Sequence, residues 1–142
     1  MTAAQARERN AAVAQEVIAV LPVKPQTVRA LGTGSSPCLV NPDAQENGTV
    51  EYGAGYDLIG ITPDQGPAVF AGVRKALEAK HYRFVYATTG TLQMHSPDDS
   101  TNLTMDQADS GVVPLHLTVT SPCVWPDESP TPTPSPTRDR IP

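Results

Sequence analysis

Cys38 and Cys123 are the two cysteines of the chain, and each closes the same tripeptide, Ser36-Pro37-Cys38 and Ser121-Pro122-Cys123. No Cys-x-x-Cys pair and no cysteine–histidine spacing accompanies them, so thiol catalysis and thiolate metal binding lack their usual setting. The chemistry expected of them is a structural disulfide joining two ends of a sheet; two buried free thiols are the alternative. Such a bridge persists where the milieu is oxidising, outside the reducing cytosol. Trp125, the sole tryptophan, stands two positions beyond Cys123 and is expected to cover the sulfurs.

The histidines are His81, His95 and His116, and none shares metal-ligand spacing with another. His95 and His116 fall on stretches that read as strands. If those strands are neighbours, the two imidazoles with Asp98 or Asp106 compose a small metal-dependent or hydrolytic site. Separate, half-buried histidines are the plainer expectation. The run Asp98-Asp99-Ser100-Thr101-Asn102 offers oxygen donors to calcium, but lacks the alternate spacing, the turn glycine and the distal glutamate of an EF-hand loop. It reads as a hairpin turn. Gly53-Ala54-Gly55-Tyr56 echoes part of a dinucleotide fingerprint, yet it lies inside an extended run, where the phosphate-cradling strand-to-helix geometry fails. No serine occupies a Gly-x-Ser-x-Gly elbow. Asn47-Gly48-Thr49 and Asn102-Leu103-Thr104 are formal glycosylation sequons. No cofactor is implied.

The elements that must position these residues follow from periodicity. Residues 2–21 carry a helical pattern in Ala6, Val13, Val17 and Val20/Leu21, ended by Pro22 and Pro25. Its alanine-rich first turns are expected to fray. Residues 27–33 read as a strand, 34–48 as a turn-rich piece holding Cys38, and 49–61 as a second extended run. Gly53 and Gly55 interrupt its alternation, which points to a bulge or strong twist there. Thr62-Pro63-Asp64 starts a second helix over 65–80, with Val69, Val73, Ala76 and Leu77 as its buried stripe. Four short strands are expected over 82–88, 91–95, 101–107 and 112–120, separated by turn residues. The last two form a hairpin in which His116 faces away from Leu115 and Leu117.

Fifteen prolines are present in 142 residues, six of them in the final seventeen. That segment has almost nothing to bury, so residues 1–126 are expected to form one domain and 127–142 a disordered Pro/Ser/Thr-rich tail. The net charge is −5 with basic residues scattered, which removes the electrostatic footprint of a nucleic-acid binder. No apolar run is long enough to span a bilayer, and no export signal opens the chain, so it is read as a mature fragment with an added initiator methionine.

Several pieces together resemble a group of small exported proteins and lipoproteins of actinobacteria. They are the helix ending in Val20-Leu21-Pro22, Gly34-Ser35-Ser36-Pro37-Cys38, and Tyr52 and Tyr56 ahead of Leu58-Ile59-Gly60. Ala79-Lys80-His81-Tyr82-Arg83, Ser96-Pro97-Asp98-Asp99 and the closing Ser-Pro-Cys-Val-Trp-Pro over 121–126 complete the set. The similarity covers about residues 5–127, and its closing motif is the most specific part. It implies an envelope location and a two-layer α+β fold but no catalytic residues. Lipoproteins of the group carry a lipid anchor, which a native precursor could share; this chain departs in lacking a lipobox cysteine.

The expectation is therefore an α+β two-layer sandwich, two helices on one face of a mostly antiparallel sheet, tied by one disulfide. Function is expected to be non-catalytic binding of an envelope protein, a wall polymer or a small ligand. The expected binding residues are Tyr52, Gly53, Gly55 and Tyr56; the rival is the hydrolase built on His95, His116 and an aspartate.

Overall fold

In the computed structural model, which describes residues 1–39, 46–98, 100–107 and 115–126, Thr2 opens the first helix, α1 (Ala3–Ala19). The Thr2 hydroxyl accepts from the Gln5 amide at 3.0 Å, and the Gln5 side chain accepts from the Thr2 amide at 2.8 Å. This reciprocal box satisfies donors that a helix start otherwise leaves open. The first turns therefore do not fray as expected. Ala3 and Ala6 are buried, packing with Val124 and Tyr52, because small side chains let the helix lie close to the sheet.

The next two strands, β1 (Thr27–Leu39) and β2 (Glu46–Ile59), make a long antiparallel hairpin. Within the piece expected to be turn-rich, residues 34–39 are instead strand, with Gly34 opposite Gly53 and Pro37 opposite Val50. Glycine and proline are tolerated here because β1 is an edge strand, where a missing ladder donor costs little. The register shifts between Ala30 and Gly32, leaving Leu31 as an extra residue opposite Gly55. The irregularity anticipated at Gly53 and Gly55 thus sits on the neighbouring strand, helped by Gly32 at φ +99°.

A single 3-10 turn (Pro63–Gln65) leads into α2 (Gly66–Ala79), whose buried side carries Val69, Phe70, Val73 and Leu77. His81 ends it at φ +72°, while the Tyr82 amide donates back to the Leu77 carbonyl at 2.9 Å. That left-handed position suits glycine, and a side chain there is strained by about 1–2 kcal/mol. His81→Gly is accordingly expected to raise the unfolding free energy by about 1 kcal/mol. Urea denaturation would show it, and an unchanged or lower midpoint would refute it.

The strands β3 (Arg83–Ala87), β4 (Thr91–His95), β5 (Asn102–Asp106) and β6 (Leu115–Thr120) complete one antiparallel sheet in the order β1-β2-β6-β5-β4-β3. Strict alternation sends Leu92, Met94, Leu103, Met105, Leu115 and Leu117 under the helices. Their intervening neighbours face the other way. A second register shift, between Phe84 and Tyr86, breaks the edge strand β3, and the Arg74 guanidinium lies 3.7 Å above the Phe84 ring. The result is the expected α+β architecture: helices on one face of the sheet, with no described residue layered over the other.

Past β6 the chain continues along β2. The Ser121 amide donates to the Tyr52 carbonyl, and Val124 exchanges both backbone bonds with Val50 at 2.8 Å. This brings Cys123 to Cys38, and the two are disulfide-bonded with a Cα separation of 6.2 Å. Trp125, expected over the sulfurs, rests its ring against Gly48 and is 60% exposed. The tail 127–142, the turn at 109–111 and the expected strand start at 112–114 lie outside the described residues, as do 40–45 and Asp99. No described helix is long and apolar enough to cross a membrane.

Candidate functional site

The uncovered face of the sheet is polar by alternation. Asp57 is on β2 between Tyr56 and Leu58, and its backbone pairs with Arg29 of β1 on one side and His116 of β6 on the other. Asp57 Oδ1 lies 3.1 Å from His116 Nδ1, and the Arg29 guanidinium donates to Oδ2. The aspartate is only 6% exposed, so both bonds replace water it has lost. Hydrogen bonds from Arg29 and then His116 hold its carboxyl below the usual range, against the opposing pull of burial. An ionised carboxylate only accepts, so His116 must present N–H at Nδ1. Its other nitrogen, Nε2, leans over Gly55: a Cβ built on that glycine would lie 3.5 Å away.

Beside this trio runs an open trough of about 420 Å³ along β2. Gly34, Gly53 and Gly55 floor it; Glu51, Thr118 and Thr120 border it, and Leu31 from the bulge leans in 3.6 Å from the Gly55 Cβ position. A ring nitrogen fixed by a carboxylate can accept or donate a proton, or bind a hydroxylated ligand. Among the described residues no hydroxyl is hydrogen-bonded to Nε2.

Of the expected binding residues, Gly53 and Gly55 border this trough. Tyr52 and Tyr56 belong to the helix side: Tyr52 packs with Ala3, Ala6 and Val124 and lies 5.1 Å beneath the Arg7 guanidinium, while Tyr56 packs on the main core. Strand alternation makes that separation unavoidable. His95 and His116 share the open face but do not meet. His95 aligns with Asn102, His116 with Asp106, and β5 lies between their strands. Two strand spacings and four residues put them about 16 Å apart. Asp106 accepts from the Thr91 hydroxyl at 2.9 Å, and Asp98 stands in the turn at the His95 end. Arg29 and Asp57 escaped sequence reasoning; Asp57 did carry a signal, a charge alternating with buried neighbours as His116 does.

Asp98 is bonded within its own turn. Asp98 Oδ1 accepts from the Ser96 hydroxyl at 2.7 Å, the Ser100 hydroxyl at 2.6 Å and the Ser100 amide at 3.0 Å. Its oxygen is therefore engaged by donors rather than left for a cation. Those bonds, led by the Ser100 hydroxyl, lower its carboxyl to about 2. Its contribution to stability is complete above the ordinary value of 3.8 and lost as pH falls through about 2. Asp98→Ala is expected to cost about 1–3 kcal/mol at neutral pH by stranding the buried Ser96 and Ser100 hydroxyls. The cost should shrink below pH 3 in urea titrations of both proteins; a pH-independent difference would refute the assignment.

One cluster of potential metal donors occurs among the described residues, Cys38, Glu51 and Cys123. Its two sulfurs are spent on each other, so it offers a single carboxylate. Compared with known protein families, curated proteins and solved structures, the chain gives no match.

Proposed function

We propose that this protein is a non-catalytic binding module of an oxidising, extracytoplasmic compartment, and that it engages an envelope component through the open face of its sheet. The observation that carries the reading is the sheet's asymmetry: helices bury one face, while the other keeps a bare-floored trough beside an ordered Arg29–Asp57–His116 trio. The cystine supports the compartment, since such bridges persist where thiols are not kept reduced. The resemblance to exported actinobacterial proteins agrees with it.

The test is amide NMR of the isotopically labelled chain during titration with fractionated envelope extract. Perturbation concentrated on β2, β5 and β6 residues of the open face is the expected result. Perturbation confined to α1 and α2, or none with any fraction, would overturn the reading.

A hydrolytic reading is favoured by one observation, the carboxylate-oriented imidazole with Nε2 turned to the trough. It leaves His95 out and assigns His116 as base. Turnover of ester or glycoside substrates that disappears in His116→Ala, with unchanged thermal stability, would displace the binding reading.

A further inference from the structure

The geometry points to a short, non-acidic oligosaccharide as the ligand of the trough, an inference that rests on the open-face reading above. Consider first the floor. Gly34 has nothing within 4 Å of where a Cβ would stand, and Gly53 meets only the Val119 carbonyl oxygen, at 3.8 Å. Neither has a positive φ. The protein's own packing and backbone therefore do not require glycine at either position, and glycine weakens a strand interior. What the missing side chains provide is a bare strip of backbone on which a ligand can approach closely.

Next, the polar groups around that strip lack partners within the chain. Among the described residues the Glu51 carboxylate makes no hydrogen bond or ion pair, and neither does His116 Nε2. Glu51 and Gly55 are four residues apart on β2, about 13 Å, and the His116 ring leans over Gly55 from the next row. Between them Thr118 and Thr120 sit opposite Gly55 and Gly53. The ionised Glu51 carboxylate only accepts. His116 Nε2 accepts when the ring is neutral and donates when it is protonated, and the threonine hydroxyls do both. A ligand hydroxyl satisfies each of these in either state.

Charge narrows the class. Glu51, Asp57 and Asp106 face this side of the sheet against Arg29, whose charge Asp57 already engages, and Arg83, four strands from β2 on the far edge. Acidic sugars are disfavoured, and an amino group near Glu51 is favoured. The trough holds no phenylalanine, tyrosine or tryptophan; Leu31 supplies its apolar contact.

The probes are chitotriose with free amines, its N-acetylated form and a trigalacturonate, each titrated into the full chain by calorimetry and amide NMR. Saturable shifts at Gly53, Gly55, Thr118 and Thr120 are expected with the first two. Affinity for the trigalacturonate should be at least tenfold weaker. Gly53→Val, whose Cβ would meet only the Val119 carbonyl oxygen at 3.8 Å, should cut binding at least tenfold without lowering the melting temperature. Glu51→Gln should weaken the amine form more than the acetylated one. Absence of saturable shifts with both non-acidic saccharides, or full binding by Gly53→Val, overturns the inference. If extracted envelope proteins move those same resonances while saccharides do not, the saccharide assignment falls and the open-face reading stands. If every perturbation maps to the helices, both fall.

Discussion

Replacing Cys38 and Cys123 together by serine is expected to lower the unfolding free energy by about 4–5 kcal/mol. The bridge spans 85 positions, so its loss frees a large loop in the unfolded chain. For a domain whose whole stability is about 5–15 kcal/mol, the double variant should be close to unfolded at physiological temperature. The native side of the balance adds a local effect. β6 pairs with β2 only over Gly53–Leu58, and the outer end of the hairpin is held from that side by Ser121, Val124 and the cystine. Urea unfolding followed by circular dichroism, with the oxidised wild type as reference, checks the loss. An unchanged midpoint would mean that the hairpin end is held by something else.

Leu117→Ala should cost about 2–5 kcal/mol, the penalty of an unfilled space in a close-packed interior. Leu117 is fully buried on the strand between β2 and β5, opposite Tyr56 and Met105, beneath the helices. Its neighbour Thr118 points to the open face, and Thr118→Ala should change stability by no more than about 0.5 kcal/mol. The contrast between adjacent positions is the sharper test. Equal effects from the two would contradict the face assignment of the whole sheet, since a strand's side chains alternate with period two.

Much of this body was legible in the chain. Leu115-His116-Leu117-Thr118-Val119-Thr120 announces its own strand and its own buried side, and the two helices follow from apolar spacing and proline stops. The cystine was legible from two cysteines in one repeated setting. The continuation of β1 through Gly34-Ser35-Ser36-Pro37 was not, because glycine, serine and proline have turn preferences that only the facing strand overrides. The Arg29–Asp57–His116 trio was hidden for a different reason. Its members are 28 and 59 positions apart and meet only through strand register, which local propensity does not encode. Tyr52 and Tyr56 attracted notice as aromatic residues beside glycines, but the same alternation that exposes Gly53 and Gly55 turns both rings toward the helices.

The displaced residues at Leu31 and Val85 bear on how this molecule tolerates crowding. A sheet that stops in straight, unbroken strands offers ready templates on which other chains can polymerise into fibres. Here each border of the sheet carries a register break, so the row of free amides and carbonyls loses its even repeat. At high local concentration the protein is thereby discouraged from pairing edge to edge with its own copies, even though Phe84, Val85 and Tyr86 stand exposed along one margin.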